Sequence, residues 1–146
     1  PWLPNGPADA IDRGVALVPE DRPVQGLVLD HSIERNITLP RIPHFSRWGF
    51  LQQRAAIRRA GAAVARLSEK APGASSLVRT LSGGNQQKVV FGKWNDPRPR
   101  VLLLDEPTVG VDVGAREEIY GVIRNAARDG SGVLVVSSDL VELIEL

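Results

Sequence analysis

The sequence predicts an α/β fold built on a parallel sheet. Three short apolar runs, at residues 15–18, 101–104 and 133–136, have the length and composition of buried strands. A helical pattern follows each of the last two runs, and strands that alternate with helices imply parallel pairing. The second and third runs also end in polar residues, at the edge where open α/β sheets place their ligands.

Composition excludes several classes of protein. The 146 residues are 42% hydrophobic and 24% charged, which is ordinary for one globular domain or a piece of one. Cysteine is absent, so disulfides and thiolate metal sites are excluded, and the two histidines form no metal cluster. No apolar run approaches a bilayer span, and residues 1–7 lack a signal-peptide pattern. A net charge of +1 gives no overall electrostatic case for nucleic acid.

The first forty residues predict short elements. They are a linker or fragment edge expected to be disordered (1–7), a helical turn (8–13), a buried strand (15–18) and a charged loop (20–23). Asp30 is then the predicted cap of a helix that contains Ile33 and Ile37 and ends at Pro40.

The longest periodic segment runs from Phe50 to Leu67. Its apolar residues recur on one helical stripe and four arginines lie mostly elsewhere, so an amphipathic helix is predicted. Such a helix can bind a membrane surface or nucleic acid, but an ordinary solvated face is the favoured interpretation because no aromatic residue alternates with the arginines.

Residues 81–88 predict a helix start suited to a phosphate. Ser82 is a good N-cap that can accept from a first-turn N–H, and Gly83 and Gly84 allow a ligand to approach the backbone. The exposed N–H groups and the helix dipole favour an anion there, although a plain glycine-rich turn is the alternative. Val90, Phe91 and Trp94 are the predicted buried stripe of this helix, and residues 96–99 end it.

The second strand ends in two adjacent carboxylates, Asp105 and Glu106. Like charges repel, so a magnesium ion beside them would resolve the conflict. Asp112 is the predicted cap of the next helix. The third strand ends at residues 137–139, and residues 140–146 begin a further helix.

These motifs resemble the ATP-binding-cassette ATPases. Leu81–Lys88 is similar to the signature sequence of that family, Val101–Glu106 to its Walker B strand and Pro107–Asp112 to its D-loop. Further sequence segments resemble the second cassette of bacterial monosaccharide importers of the ribose type. They are residues 18–22, 85–94, 110–115 and 137–139.

The resemblance implies a partial P-loop NTPase (RecA-like) parallel-sheet core with an inserted helical signature subdomain. The implied parts are a core strand and Q-loop region (8–29), the helical signature-bearing subdomain (30–97) and the Walker B, D-loop and switch part (98–146).

The resemblance also assigns roles. Asp105 would hold Mg²⁺ and Glu106 would orient the attacking water. The residues expected to contact ATP are Ser82, Gly83, Gly84, Asn85, Gln86, Glu20, Asp112 and Ser138. The signature residues among them would contact the γ-phosphate of a nucleotide held mainly by another cassette. Glu20 occupies the position of the family's Q-loop glutamine, and Ser138 occupies the position of its switch histidine.

Two departures from the family pattern limit what the chain is expected to do alone. No Walker A loop, a glycine-rich turn ending in Gly-Lys-Ser/Thr, occurs in the 146 residues, so weak or no ATP binding and no activity are expected of this piece, a truncated part of a longer protein. Ser138 cannot replace an imidazole, so hydrolysis at this cassette's own site is expected to be impaired. This half would then contribute mainly its signature.

The implied partners are another cassette, permease subunits at the cytoplasmic face of the bacterial inner membrane and, indirectly, an external sugar-binding protein; nucleic acid is not expected. Two alternatives stay open, a soluble cassette ATPase acting on ribosomes or DNA, and a degenerate regulatory cassette. The sequence does not identify the solute, which could be a sugar, a nucleoside or another small polar molecule.

Overall fold

The computed structural model describes residues 3–47, 50–51, 73–94 and 98–146. Its helices are α1 (Pro7–Asp12), α2 (Ile33–Thr38), α3 (Gly83–Gly92), α4 (Val113–Arg128) and α5 (Leu140–Glu145). Its strands are β1 (Val15–Val18), β2 (Ser46–Arg47), β3 (Phe50–Leu51), β4 (Val101–Asp105) and β5 (Gly132–Val136). A π-helical turn (Arg22–Gly26) and two 3₁₀ segments (Leu39–Phe45 and Val78–Thr80) complete the described elements. None of the described helices is long and apolar enough to cross a membrane.

The main sheet is parallel, as the sequence predicts. Its strand order is β1-β4-β5, so β4 lies in the middle, and Val18 is in register with Leu104, which is in register with Val135. Strands β2 and β3 form a separate two-stranded antiparallel pair. Because the three parallel strands share one direction, their carboxyl ends meet at one edge of the sheet.

The core lies on one face of this sheet. Strand residues that point to that face are buried together with apolar residues of α2, α3 and α4. They include Ala16, Val18, Leu102, Leu104, Ile33, Ile37, Val90, Phe91, Ile119 and Ile123. The predicted burial of Val90 and Phe91 is confirmed.

The prediction of three buried strands holds for one face of the sheet and not for the other within this chain. Leu17 of β1 is 50% exposed and Leu134 of β5 is 59% exposed, and both flank Leu103 on the opposite face of the sheet. Neighbouring strand residues point to opposite faces, and α2, α3 and α4 pack on only one of them. An uninterrupted apolar run does not distinguish burial on one face from burial on both.

The amino-terminal elements follow the prediction with two corrections. The helical turn is confirmed as α1, which begins at Pro7, and residues 3–6 before it are neither helix nor strand. The predicted cap Asp30 is wrong, because Ser32 Oγ accepts from the N–H of Arg35 (3.4 Å) at the start of α2. Asp30 instead pairs with Arg79 at 2.9 Å.

Two predicted helices also differ. Phe50, the first residue of the predicted amphipathic helix, lies in β3, and most of that helix falls outside the described residues. Helix α3 ends at Gly92, so Trp94 lies beyond it and is only partly buried. The indole Nε1 of Trp94 donates to the carbonyl of Leu17 at 2.9 Å, which holds the end of α3 against β1.

Candidate functional site

Polar residues collect where the three parallel strands end. Glu20 follows β1 by two residues, and Ser138 follows β5 by two residues. Asp105 is the last residue of β4, and Glu106 comes directly after it. Asp105 is in register with Val136 of β5. The predicted carboxylates and the predicted switch residue therefore share one edge of the sheet.

Glu106 is fixed by contacts with β5 and the residues that follow it. Its backbone N–H donates to the carbonyl of Val136 (2.9 Å), and its Oε1 accepts from the N–H of Ser138 (2.6 Å). Its φ angle of 47° lies in the left-handed region, a strained conformation that tends to occur at functional sites. Its Oε2 is buried and has no hydrogen-bond partner among the described residues. One carboxylate oxygen is thus held, and the other is left for a polar ligand.

Asp105 is a candidate magnesium ligand at the same edge. Its side chain is exposed beside Glu106, and no group of three or more acidic or histidine residues that could hold a metal exists in the described part of the chain. Magnesium bound with nucleotide keeps several waters and takes one or two carboxylates plus phosphate oxygens. A magnesium ion at this edge would have Asp105 as a protein ligand and would take its other ligands from phosphate and water.

Ser82 stands at the N-cap of α3, but its hydroxyl does not accept from a first-turn N–H, so that prediction is wrong. The serine is exposed, and only its carbonyl joins the helix, by accepting from the N–H of Gln86 (2.9 Å). No side-chain hydrogen bond caps this turn. The first-turn N–H groups are consequently not occupied by the Ser82 side chain, and the helix dipole favours an anion beside them.

Glycines 83 and 84 are required by packing inside the chain. A Cβ added at Gly83 would lie 2.8 Å from the carbonyl oxygen of Gly110, and one added at Gly84 would lie 2.6 Å from Cβ of Ala115. The sequence attributes both glycines to close approach of a ligand. The structure shows a second reason, which is that the turn at 107–112 and the start of α4 press against them.

The other predicted signature residues are Asn85 and Gln86. Gln86 Nε2 lies near the carbonyls of Val78 (3.3 Å) and Leu81 (3.4 Å), so its amide is directed into its own chain. Asn85 is partly exposed beside it. We call residues 82–86 the α3 tip.

The 107–112 turn connects the sheet edge to the α3 tip. Asp112 ends this turn and caps α4 as predicted, with Oδ1 accepting from the N–H of Ala115 (3.0 Å). Glu20 lies in the loop after β1, where its exposed side chain is followed by Asp21 and Arg22. Among the described residues, no hydrogen bond or ion pair joins the α3 tip directly to Asp105 or Glu106. The candidate site therefore consists of two surfaces, the sheet edge with Asp105 and Glu106 and the α3 tip, which the 107–112 turn joins.

Four residues that hold this turn were missed from sequence. Gln87 Nε2 donates to the carbonyl of Pro107 (2.7 Å), and Thr108 Oγ1 donates to Glu142 Oε1 (2.7 Å), with both side chains buried. Arg22 donates to carbonyls of the same turn, and burial lowers the pKa of its guanidinium while the neighbouring Asp21 opposes that shift. Arg22 and Gln87 lie in quoted motifs, but a single sequence does not show which distant carbonyl each one meets.

Comparisons with known proteins agree on one family. The family model described as ABC transporter matches residues 6–109. The chain is 49% identical over 140 residues to the ribose import ATP-binding protein RbsA of Chelativorans sp. (strain BNC1), covering 96% of this chain and 28% of that protein. It is 48% identical over 142 residues to the protein of the same name from Pseudomonas putida, covering 97% of this chain and 28% of that one. The chain thus spans under a third of the length of these curated relatives.

Solved structures with the same fold are ATP-binding cassettes. A dimeric cassette in a post-hydrolysis state, bound to ADP and Pi, has a TM-score of 0.70 at 24% identity, covering 90% of this chain and 56% of that one. A dimeric bacterial ABC transporter cassette has a TM-score of 0.71 at 22% identity, covering 93% and 57%. The predicted α/β P-loop-type fold is confirmed by this likeness.

Proposed function

The chain belongs to the ABC transporter family, and from that premise we propose that it is part of the ATP-binding subunit of a bacterial importer, which couples ATP binding and hydrolysis to uptake of a monosaccharide of the ribose type. The observation that carries the proposal is the α3 tip, an uncapped helix start held by packing beside the turn that follows Glu106. The names of the ribose import relatives support the substrate class.

The α3 tip is proposed to bind the γ-phosphate of an ATP held mainly by another cassette, in the same chain or in a dimer. Ser82, Gly83 and Gly84 offer N–H groups and a hydroxyl there, with Asn85 and Gln86 beside them. Both similar structures are dimeric, which supports a partner cassette. Asp112 acts in this proposal through the turn it closes.

Glu106 is proposed to act on the water that attacks the γ-phosphate. Because the N–H of Ser138 holds Oε1, Oε2 can accept a hydrogen bond from that water and orient it in line with the bond to the leaving ADP. Asp105 would hold Mg²⁺ mainly through water, and the ion would neutralise charge on the phosphate oxygens. Glu20 replaces the Q-loop glutamine with a carboxylate near this edge.

Ser138 is the residue from which we infer unequal roles for this cassette and its partner. It positions Glu106 through its backbone N–H but brings no imidazole to the γ-phosphate. We infer that this cassette contributes its tip to a partner's site more than it hydrolyses ATP at its own. Because the 146 residues contain no Walker A loop, the chain alone is proposed to bind ATP weakly and to be inactive. Submillimolar ATP affinity by calorimetry would contradict that inference.

The proposed partners are a second cassette, the permease subunits and, indirectly, an external sugar-binding protein. The proposed location is the cytoplasmic face of the inner membrane, with the loop at Glu20 close to the permease.

The test is ATP turnover by the full-length protein in complex with its permease. Ser82→Asp sets a negative charge against the phosphate, so turnover should fall at least about tenfold further than with Glu106→Gln. Glu117→Gln, the same change at an exposed glutamate of α4, is the matched control and should leave turnover unchanged. Equal losses from the first two variants would refute the asymmetry, and a wild-type complex with no ATP hydrolysis would refute the proposed function itself.

A further inference from the structure

Arg22 connects the loop after β1 to the 107–112 turn. Its Nη1 donates to the carbonyl of Val109 (2.6 Å) and its Nη2 to the carbonyl of Gly110 (3.2 Å), 87 and 88 residues away along the chain. Planar guanidinium groups suit such forked contacts because their donors are fixed in one plane. The side chain is partly buried, and its Nε is enclosed without a partner in the described part of the chain. This arginine is thus inserted into the structure instead of being solvated.

The same guanidinium also touches the α3 tip. A Cβ at Gly83 would lie 2.9 Å from Nη2 of Arg22, and a Cβ at Gly110 would lie 3.2 Å from it. Gly110 has a φ angle of +67°, a conformation that glycine adopts at little cost. Arg22 therefore sits where the turn and the helix start meet, and both glycines leave room for it.

The base of Arg22 is fixed as well. Asp21 Oδ1 accepts from the N–H of Val24 (3.1 Å), which closes the π-helical turn that begins at Arg22. At the other end of that turn, the carbonyl of Gly26 accepts from the buried Nζ of Lys93, just beyond α3. The loop is consequently held against both ends of α3, so the guanidinium is presented from a rigid base.

We propose that Arg22 is a positioning residue that locks the 107–112 turn to the α3 tip, so that the phosphate-binding tip and the segment following Glu106 move as one unit. This inference rests on the proposed function for its effect on turnover, but the lock itself is a property of the chain. It gives the loop beside Glu20 a mechanical connection to both surfaces of the site.

Hydrogen exchange of the full-length protein tests the lock directly. The amides of Val109 and Val111 donate to Glu106 (3.2 Å) and Thr108 (3.1 Å) within the turn, so their exchange reports its order. Arg22→Ala should speed their exchange about tenfold, while β5 amides keep the wild-type rate because the core is untouched. Arg22→Lys, which can reach one carbonyl but not fork, should give an intermediate rate.

ATP turnover of the same variants in the permease complex tests the positioning role. Arg22→Ala should lower kcat about tenfold with little change in KM for ATP, because the nucleotide is held mainly elsewhere. Arg22→Lys should recover part of kcat. Arg124→Ala is the matched control, an arginine that also donates to a backbone carbonyl (Glu145, 2.9 Å) but lies on the far part of α4, and it should keep wild-type kcat.

Three results would overturn the inference: unchanged exchange at Val109 and Val111 in Arg22→Ala, faster exchange there with unchanged kcat, or equally faster exchange in β5. If Arg22→Ala does not fold, Arg22→Lys alone decides by the same measurements. A wild-type complex without ATP hydrolysis would end the proposed function, and the exchange result would still judge the lock.

Discussion

Replacing Gly84 with alanine tests whether the α3 tip is shaped by packing within the chain. The added methyl carbon would lie 2.6 Å from Cβ of Ala115. Non-bonded carbons pack at about 3.5–4.0 Å, so this methyl would be about 1 Å too close. Overpacking of this kind costs about 1–3 kcal/mol, and we expect Gly84→Ala to lower the free energy of unfolding by that amount.

A matched control is available in α4. A Cβ at Gly121 meets no atom within 4 Å, so Gly121→Ala should raise the free energy of unfolding by up to about 1 kcal/mol, through helix propensity alone. Both variants add the same methyl group to a helical glycine. Opposite signs of the two effects, measured by urea unfolding, would isolate the clash from any general effect of glycine replacement.

The compensating change Ala115→Gly removes the methyl that Gly84→Ala would strike. The double variant should regain most of the lost stability, less the cost of about 1 kcal/mol for a glycine in α4. The double-mutant cycle formed by Gly84→Ala and Ala115→Gly should therefore show a favourable coupling of about 1 kcal/mol or more between the two positions. Wild-type stability of Gly84→Ala, or additive effects of the two changes, would refute the packing argument.

ATP turnover by the same variants in the full-length complex separates packing from ligand contact. If Gly84 serves only the fold of the tip, the double variant should regain turnover together with stability. If the phosphate also needs a bare backbone at Gly84, stability should return while turnover stays low.

Two further changes test the supports of the site. Burial lowers the pKa of Lys93 from 10.5 to about 8, so the unfolded chain binds more protons than the folded chain between those pH values. The stability of the wild type relative to Lys93→Met should therefore rise by about 3 kcal/mol from pH 8 to 10.5. Urea unfolding across that pH range measures this difference. A stability difference that does not change with pH would contradict the burial of the Lys93 amine. Asp112→Ala should cost about 1 kcal/mol because the N–H of Ala115 loses its cap, whereas Asp112→Asn, which keeps an acceptor oxygen, should stay near wild type in the same assay.

The parallel sheet could be predicted from the sequence because each strand is a local apolar run with a clear end. The edge position of Asp105, Glu106 and Ser138 follows from the same pattern, since all three lie at or just after the ends of strands that share one direction. Burial could not be predicted in the same way. Leu17 and Leu134 belong to runs as apolar as any in the core, yet within this chain both are exposed on the face of the sheet opposite α2, α3 and α4.

Caps and clamps were harder to predict because they depend on distant partners. Asp30 and Ser32 are both good N-cap residues, and the choice between them goes with an ion pair from Asp30 to Arg79, 49 residues away. Arg22 likewise meets carbonyls 87 and 88 residues away. Contacts between residues so far apart leave no local sequence pattern. The motif that contains Arg22 therefore does not reveal which carbonyls its guanidinium contacts.

The packing of the α3 tip bears on how a phosphate would be recognised there. Donors that must be rearranged when a ligand arrives cost free energy, whereas donors already held in place do not. Gly83 is enclosed by Gly110 and Arg22, and Gly84 by Ala115, so the backbone of the tip is fixed by its own chain before any nucleotide is present. The absence of a side-chain cap on α3 then leaves the N–H groups of this rigid tip for the ligand. A nucleotide held by a partner cassette would therefore meet preformed donors, and its binding would depend on how that partner approaches.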